Sequence, residues 1–174
     1  GRALLGDSLA KHFQKADRAP MSLSALTWCL KAKASGFDLS QHNVFFQSDY
    51  ESEFNDIFKR HRLPRQPTVY LCAPERTEPS QAQGRDQAEP MLLLINAPGS
   101  FNDVGESVAS SAQEISVCQQ QMLHMLEQRG LKLAFEPKQC LVTTPRAFAA
   151  HFPGSGGALY GPAANGWMAT FARE

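Results

Sequence analysis

Hydrophobic and polar residues alternate over residues 21–33, and this pattern predicts a strand with two unlike faces. The apolar face consists of alternate residues, Leu26, Trp28, Leu30 and Ala32. Further stretches rich in apolar and β-branched residues predict more strands. They are residues 43–47, 68–73, 91–96, 131–135 and 139–143, the last two supplying one or two strands. The run 91–96 is continuously apolar, which predicts a strand buried on both faces.

Helical spacing follows the second of these strands. Ser48 and Glu51 have the spacing of a capping box, so a helix is predicted to begin there. Its aromatic face, which is expected to pack in the core, consists of Tyr50, Phe54, Ile57, Phe58 and His61.

Two more helices are predicted in the second half of the chain. The longer covers residues 105–129 and ends at Gly130, a residue type that favours the position after a helix. The shorter covers residues 145–152, with Thr144 as its N-cap and Pro145 in its first turn.

This order of elements predicts an α+β fold. We expect a twisted, antiparallel or mixed sheet of about four to six strands, covered on one face by two main helices. A chain of 174 residues is long enough for one hydrophobic core, so residues 1–174 are predicted to form a single domain.

Composition excludes several classes of function. Acidic and basic residues are equal in number, 17 each, with no long basic run, which argues against a nucleic-acid partner. No apolar run approaches the ~20 residues that span a bilayer, and no signal-peptide pattern is present. The four cysteines lack metal-ligand spacing, so no metal site is predicted and a reduced, intracellular setting is expected. The acidic residues, and the loop 74–90, are expected to be exposed to solvent.

A glycine-rich segment, residues 154–161, follows the last predicted helix. Glycine is favoured where φ is positive or where another group must approach the main chain closely. Two interpretations therefore stay open, a surface turn or a flat backbone surface against which a large planar ligand packs.

A GDSL motif, the signature of one class of esterases, occurs at residues 6–9. Its serine would need a preceding buried strand and a base from an Asp-x-x-His sequence. Residues 2–5 are too short for that strand and no Asp-x-x-His occurs, so esterase activity is not favoured.

Five segments occur in an order that resembles a known family. They are SLSALTW (22–28), HNVFFQSDYESEFNDIF (42–58), PTVYLCAPERTEPS (67–80), LLLINAP (92–98) and the final TPRAFAAHFPGSGGALYG (144–161). Together they resemble phytoene-desaturase-type carotenoid desaturases, which are flavoproteins of the amine-oxidase superfamily. The GGALYG and VYLCAPER segments are most similar to the hydroxyneurosporene or methoxyneurosporene desaturases.

The resemblance implies an FAD-dependent enzyme of photosynthetic bacteria that dehydrogenates an acyclic carotenoid in carotenoid biosynthesis. It implies a cytoplasmic location with peripheral contact at the inner membrane. Both glycine-rich FAD segments of the family are missing from the chain. We therefore expect a central and C-terminal piece of the enzyme, its substrate domain, which by itself binds little or no FAD.

In such a domain the open face of the sheet is expected to line an apolar channel that ends at the flavin. The resemblance places six residues near substrate or flavin, namely Gly156, Gly157, Ala158, Tyr160, Gly161 and Trp167. If the glycine-rich segment packs against a ligand, a side chain at Gly157 is expected to block that ligand without disturbing the fold. If the segment is only a turn, valine at this position is expected to destabilise the protein by roughly 1–3 kcal/mol. The sequence assigns no catalytic acid or base and no oligomeric state. The alternative to an enzyme fragment is a stand-alone binding module for an apolar ligand, without catalytic activity.

Overall fold

The computed structural model describes residues 22–77, 87–100 and 108–160. Its elements in chain order are β1 (Ser24–Ser35), β2 (His42–Phe45), α1 (Tyr50–Phe54), a π-helical turn (Asn55–Lys59), β3 (Val69–Cys72), β4 (Glu89–Ala97), α2 (Ala112–Gln128), β5 (Lys132–Thr143) and α3 (Pro145–His151). The described strands form one sheet in the order β2-β3-β4-β1-β5, in which every neighbouring pair is antiparallel. The predicted α+β fold, with an antiparallel sheet, is confirmed.

The core lies between one face of this sheet and α2. The four predicted apolar residues of β1 are all buried there, and Trp28 is completely inaccessible. Helix α2 contributes Cys118, Met122, Met125 and Leu126 to the same cluster. Burial of each large side chain of this kind stabilises a fold by about 1.5–3 kcal/mol. Strand β1 and the longest helix therefore contribute much of the stability of the described part.

Strand β5 is one continuous strand, whereas the sequence predicts either one or two strands in this region. Its pairing with β1 contains a bulge, because residues 136–139 of β5 lie opposite Lys31 alone. Pro137 falls within this bulge, and β5 is at the edge of the sheet. A missing backbone donor is tolerated at both kinds of position, so the proline does not end the strand.

The helix ends follow side-chain capping rules. Thr144 Oγ1 accepts a hydrogen bond from Ala147 N at 3.2 Å, which confirms the predicted N-cap of α3. Helix α2 begins at a capping box between Ser111 and Glu114, later than predicted, and residues 101–107 lie outside the described ranges. Gly130, with φ of 89°, follows its end as predicted.

Helix α1 differs from the prediction in its cap and in its packing. The N-cap is Asp49, whose Oδ1 accepts from Ser52 N at 3.0 Å, so the capping box predicted for Ser48 and Glu51 is wrong. The aromatic face is not a core face either, since Tyr50 is 54% exposed. The π-helical turn breaks the helical period after Phe54, and Ile57 is buried outside the main core cluster. Within the described ranges, α2 is thus the one helix that contributes residues to that cluster, not two helices as predicted.

Three acidic residues are buried, contrary to the expectation that acidic side chains are solvated. They are Glu53, Asp56 and Glu89. Glu53 accepts hydrogen bonds from the backbone N–H of Thr68 and from the side-chain amide of Asn96, both at 3.0 Å. These partners offset the cost of removing a carboxylate from water.

One residue near each end of the loop 74–90 is buried, Arg76 and Glu89, and residues 78–86 lie outside the described ranges. Arg76 Nη2 and Glu89 Oε1 are 2.6 Å apart, and both side chains are almost inaccessible. Arg76 Nη1 also donates to the carbonyl oxygen of Leu39 at 3.2 Å. The prediction of a fully exposed loop is therefore wrong at these residues, because the ion pair anchors both ends of the loop to the sheet.

Candidate functional site

The glycine-rich segment lies at the end of the sheet where β1 begins. The backbone N–H of Leu159 donates to the carbonyl oxygen of Leu23 at 3.1 Å, and that of Tyr160 donates to Ser22 Oγ at 3.1 Å. The carbonyl oxygen of Gly156 accepts from the N–H of Ser100, just after β4, at 2.8 Å. Hydrogen bonds of its backbone groups therefore hold the segment against this end of the sheet.

Gly157 is buried and adopts a positive φ of 79°. A Cβ atom at this position would overlap the carbonyl oxygen of Pro145 and would lie 2.9 Å from Ser100 Oγ. The expectation that a side chain here would leave the fold undisturbed is therefore wrong. The reason is steric, since the space in front of Gly157 is occupied by the start of α3 and by the segment after β4.

The other predicted site residues differ in exposure. Ala158 is buried, Gly156 is half-buried, and Tyr160 is 74% exposed. Gly161 and Trp167 lie outside the described residues. The structure thus brings Gly156, Gly157, Ala158 and Tyr160 together at one end of the sheet, and their proximity to substrate or flavin stays a prediction.

The face of the sheet that is turned away from the core, which we call the open face, carries two rows of residues across all five strands. Cross-strand pairing defines the first row, which is Val44, Tyr70, Leu94, Thr27 and Thr143. It defines the second in the same way as His42, Cys72, Leu92, Cys29 and Leu141. Each row is about 19 Å long, because neighbouring strands are ~4.8 Å apart.

Apolar residues occupy much of the open face. Val44 is 48% exposed and Leu141 is 67% exposed, while Leu92 and Leu94 between them are half-buried. The solvated face of an antiparallel sheet is ordinarily polar. An apolar face of this width is typical of a surface that contacts an apolar ligand or another part of a protein.

One polar pair interrupts this apolar surface. His42 Nδ1 and Tyr70 Oη form a hydrogen bond of 2.8 Å between β2 and β3. Burial, together with a hydrogen bond from the hydroxyl to the neighbouring Cys72, raises the pKa of the Tyr70 hydroxyl above its ordinary value of 10.0. The hydroxyl therefore stays protonated at neutral pH. The two residues are 28 positions apart, and nothing in the spacing of the sequence indicates that they meet.

Comparison with known proteins identifies relatives of the chain. The chain is 43% identical over 172 residues to the hydroxyneurosporene desaturase of Rubrivivax gelatinosus, and 35% identical over 170 residues to that of Rhodobacter capsulatus. It is 28% identical over 177 residues to the 1-hydroxycarotenoid 3,4-desaturase of a Flavobacterium species. The chain is related to the carotenoid desaturases. This confirms the resemblance found in the sequence, including its similarity to hydroxyneurosporene desaturases.

The matches cover nearly all of this chain but a part of each relative. They include 99%, 98% and 99% of the chain, and 32%, 32% and 34% of the three desaturases. The chain therefore spans about a third of the length of the carotenoid desaturases that it matches. No family model matches the chain.

The glycine-rich segment does not form a phosphate-binding loop of the kind that holds FAD. A dinucleotide phosphate binds free backbone N–H groups at the start of a helix that follows a strand. Here the N–H groups of Gly157 and Ala158 both donate to Ser155, and those of the next two residues donate to the start of the domain. The segment also follows a helix, α3. These residues therefore do not fit the pyrophosphate of FAD.

A small cavity of about 90 Å³ lies beside the start of α3. Its lining includes Leu26, Ile115 and Pro145. Sites for large ligands usually have volumes of about 300–1,000 Å³, so this cavity cannot enclose a carotenoid. In the part of the chain that the structure describes, no group of histidine, cysteine and acidic residues could hold a metal ion, and none of the helices is long and apolar enough to span a bilayer.

Proposed function

We propose that this chain is the substrate-binding part of an FAD-dependent carotenoid desaturase, and that the open face forms one wall of the substrate channel. The complete enzyme would dehydrogenate an acyclic carotenoid of the hydroxyneurosporene or methoxyneurosporene type. The relatives named for this reaction match the chain along nearly its whole length, which supports the assignment. FAD would be held by parts of the enzyme outside the described residues.

The observation that carries the proposal is the apolar character of the open face. A carotenoid is a long hydrocarbon, so its binding site must remove a long strip of apolar surface from water. Leu92 and Leu94 of β4 and Leu141 of β5 offer such a surface, whereas the small cavity does not. The role of these residues in the reaction would be to align the polyene and to exclude water from it.

We propose further that residues 1–174 form one domain within the longer enzyme. The strands and α2 share one core cluster, and Tyr160 N donates to Ser22 Oγ, so the two ends of the described part are adjacent. We also propose that the enzyme is cytoplasmic and meets the inner membrane peripherally, since a carotenoid is dissolved in the bilayer. The alternative of a stand-alone, non-catalytic binding module is not favoured by the match to desaturases. The GDSL motif lies outside the described residues.

A charged side chain in the proposed wall tests the assignment. Leu92 is in the middle of the open face, so Leu92→Arg in the full-length enzyme should lower kcat/KM for a carotenoid at least about tenfold, as expected for a charge that loses hydration. Val117→Arg is the matched control, because Val117 is 40% exposed on the outer side of α2. The thermal midpoint and the flavin content should stay at wild-type values in both variants. A Leu92→Arg enzyme that is folded, flavin-loaded and as active as the wild type would refute the proposed wall.

A further inference from the structure

An aromatic row runs along the outer side of α1 and the π-helical turn. The ring centroids of Tyr50 and Phe54 are 4.7 Å apart, and those of Phe54 and Phe58 are 5.9 Å apart. Ile57, in the same turn, is buried, which fixes the side of the helix that faces the protein. Tyr50 is exposed, and the other two rings are half-buried. Phe46, just before α1, is exposed as well. The helix therefore presents aromatic rings to its surroundings.

Basic residues follow the aromatic row at its C-terminal end. They are Lys59, Arg60, Arg62 and Arg65, and all but the half-buried Arg62 are exposed. The one carboxylate among residues 56–65 is Asp56, so this stretch has a net charge of +3. Asp56 is buried and accepts hydrogen bonds from Arg60 and Arg62, at 2.7 and 2.8 Å. The exposed acids of this region, Asp49 and Glu51, lie at the opposite end of α1.

We propose that the aromatic row and the basic stretch 56–65, which together we call the aromatic–basic segment, dock the enzyme on the surface of an anionic bilayer. Aromatic rings favour the level of the lipid headgroups, and clustered lysine and arginine residues are attracted to anionic lipids. A second copy of the chain fits less well, because a symmetric contact would bring the two positive stretches together. The inference rests on the proposed function, since an enzyme that acts on a bilayer-dissolved hydrocarbon must meet the bilayer to obtain it.

Co-sedimentation of the full-length enzyme with lipid vesicles tests the docking surface. The vesicles contain phosphatidylcholine alone, or an equimolar mixture with phosphatidylglycerol. The variants are Lys59→Gln with Arg65→Gln, and separately Tyr50→Ser, none of which removes a hydrogen bond to Asp56 from a side chain. The matched controls are Lys138→Gln and Val117→Ser, an exposed lysine on β5 and an exposed apolar residue on α2.

Each lost cation should weaken binding to the anionic vesicles about fivefold, so the double variant should bind about 25-fold more weakly. Tyr50→Ser should weaken binding to both kinds of vesicle by several-fold, since it removes apolar contact. High salt should weaken wild-type binding to the anionic vesicles and largely remove the difference caused by the cations. The two controls should bind as the wild type does.

Two results would overturn the inference. One is wild-type binding to anionic vesicles by the folded double variant and by folded Tyr50→Ser. The other is unchanged binding together with a lowered thermal midpoint, which would make the segment an internal interface of the longer enzyme. Turnover of a detergent-dissolved carotenoid is measured separately. A wild-type enzyme that does not turn over this carotenoid would refute the proposed function, while vesicle binding would still test the docking surface.

Discussion

Gly157 and Gly154 form a matched pair that measures how tightly the glycine-rich segment is packed. Both have a positive φ, 79° and 87°, so alanine at either position carries the same backbone strain of about 1–2 kcal/mol. At Gly154 nothing lies within 4 Å of the added Cβ, whereas at Gly157 that atom overlaps the carbonyl oxygen of Pro145. Overpacking of this kind typically costs about 1–3 kcal/mol more. Gly157→Ala should therefore destabilise the protein by about 2–5 kcal/mol, and Gly154→Ala by about 1–2 kcal/mol.

Urea unfolding followed by circular dichroism, on the wild type and both variants, measures the difference. Equal losses of unfolding free energy at the two positions would refute the packing of Gly157 against Pro145. Activity per folded molecule separates structure from function in the same samples. If activity falls in proportion to the folded fraction, Gly157 is needed for folding alone. If it falls much further, the segment also contacts the ligand, as the family resemblance predicts.

Two further predictions concern buried titratable groups. Burial raises the pKa of Asp56, but hydrogen bonds from two arginine side chains and one backbone N–H outweigh it, so the pKa is below its ordinary value of 3.8. The contribution of the Asp56 carboxylate to stability is therefore complete above pH 3.8 and is lost as the pH falls through the lowered pKa. Asp56→Asn should lower the free energy of unfolding by about 2–4 kcal/mol at neutral pH but by little in strong acid. Urea titrations at several pH values measure this difference. Burial raises the pKa of the Cys118 thiol to about 12. A thiol reagent at pH 8 should therefore label the exposed Cys29 before Cys118. Equal labelling rates of the two cysteines in the native protein would contradict the burial of Cys118.

The parts of the fold that the sequence predicts correctly are those that local physics determines. The alternation in β1 marks a strand whose one face is buried, and Trp28 and its neighbours are buried as expected. Thr144 and Pro145 mark the start of α3 because an N-cap and a first-turn proline act within a few residues. The sequence predicts Ser48 as the N-cap of α1, one position before the observed Asp49, because serine and aspartate are both good N-cap residues.

The parts that the sequence does not predict depend on contacts between distant residues. The buried carboxylates of Glu53 and Glu89 look like ordinary surface acids until the fold brings Asn96 and Arg76 to them. The pairing of His42 with Tyr70 likewise requires the register of β2 on β3. The π-helical turn has no sequence signature that distinguishes it from an α-helical one, and it redirects the aromatic residues that follow Tyr50.

Strand β4 connects the apolar run of residues 91–96 with the proposed role of the open face. Its apolar run predicts a strand buried on both faces, and Leu93 and Ile95 are indeed inaccessible in the core. Leu92 and Leu94, on the open face, are only half-buried among the described residues. A strand near the centre of a sheet with apolar side chains on both faces is most stable when both faces are covered. The half-buried apolar side chains of β4 therefore support the proposal that the open face contacts an apolar ligand.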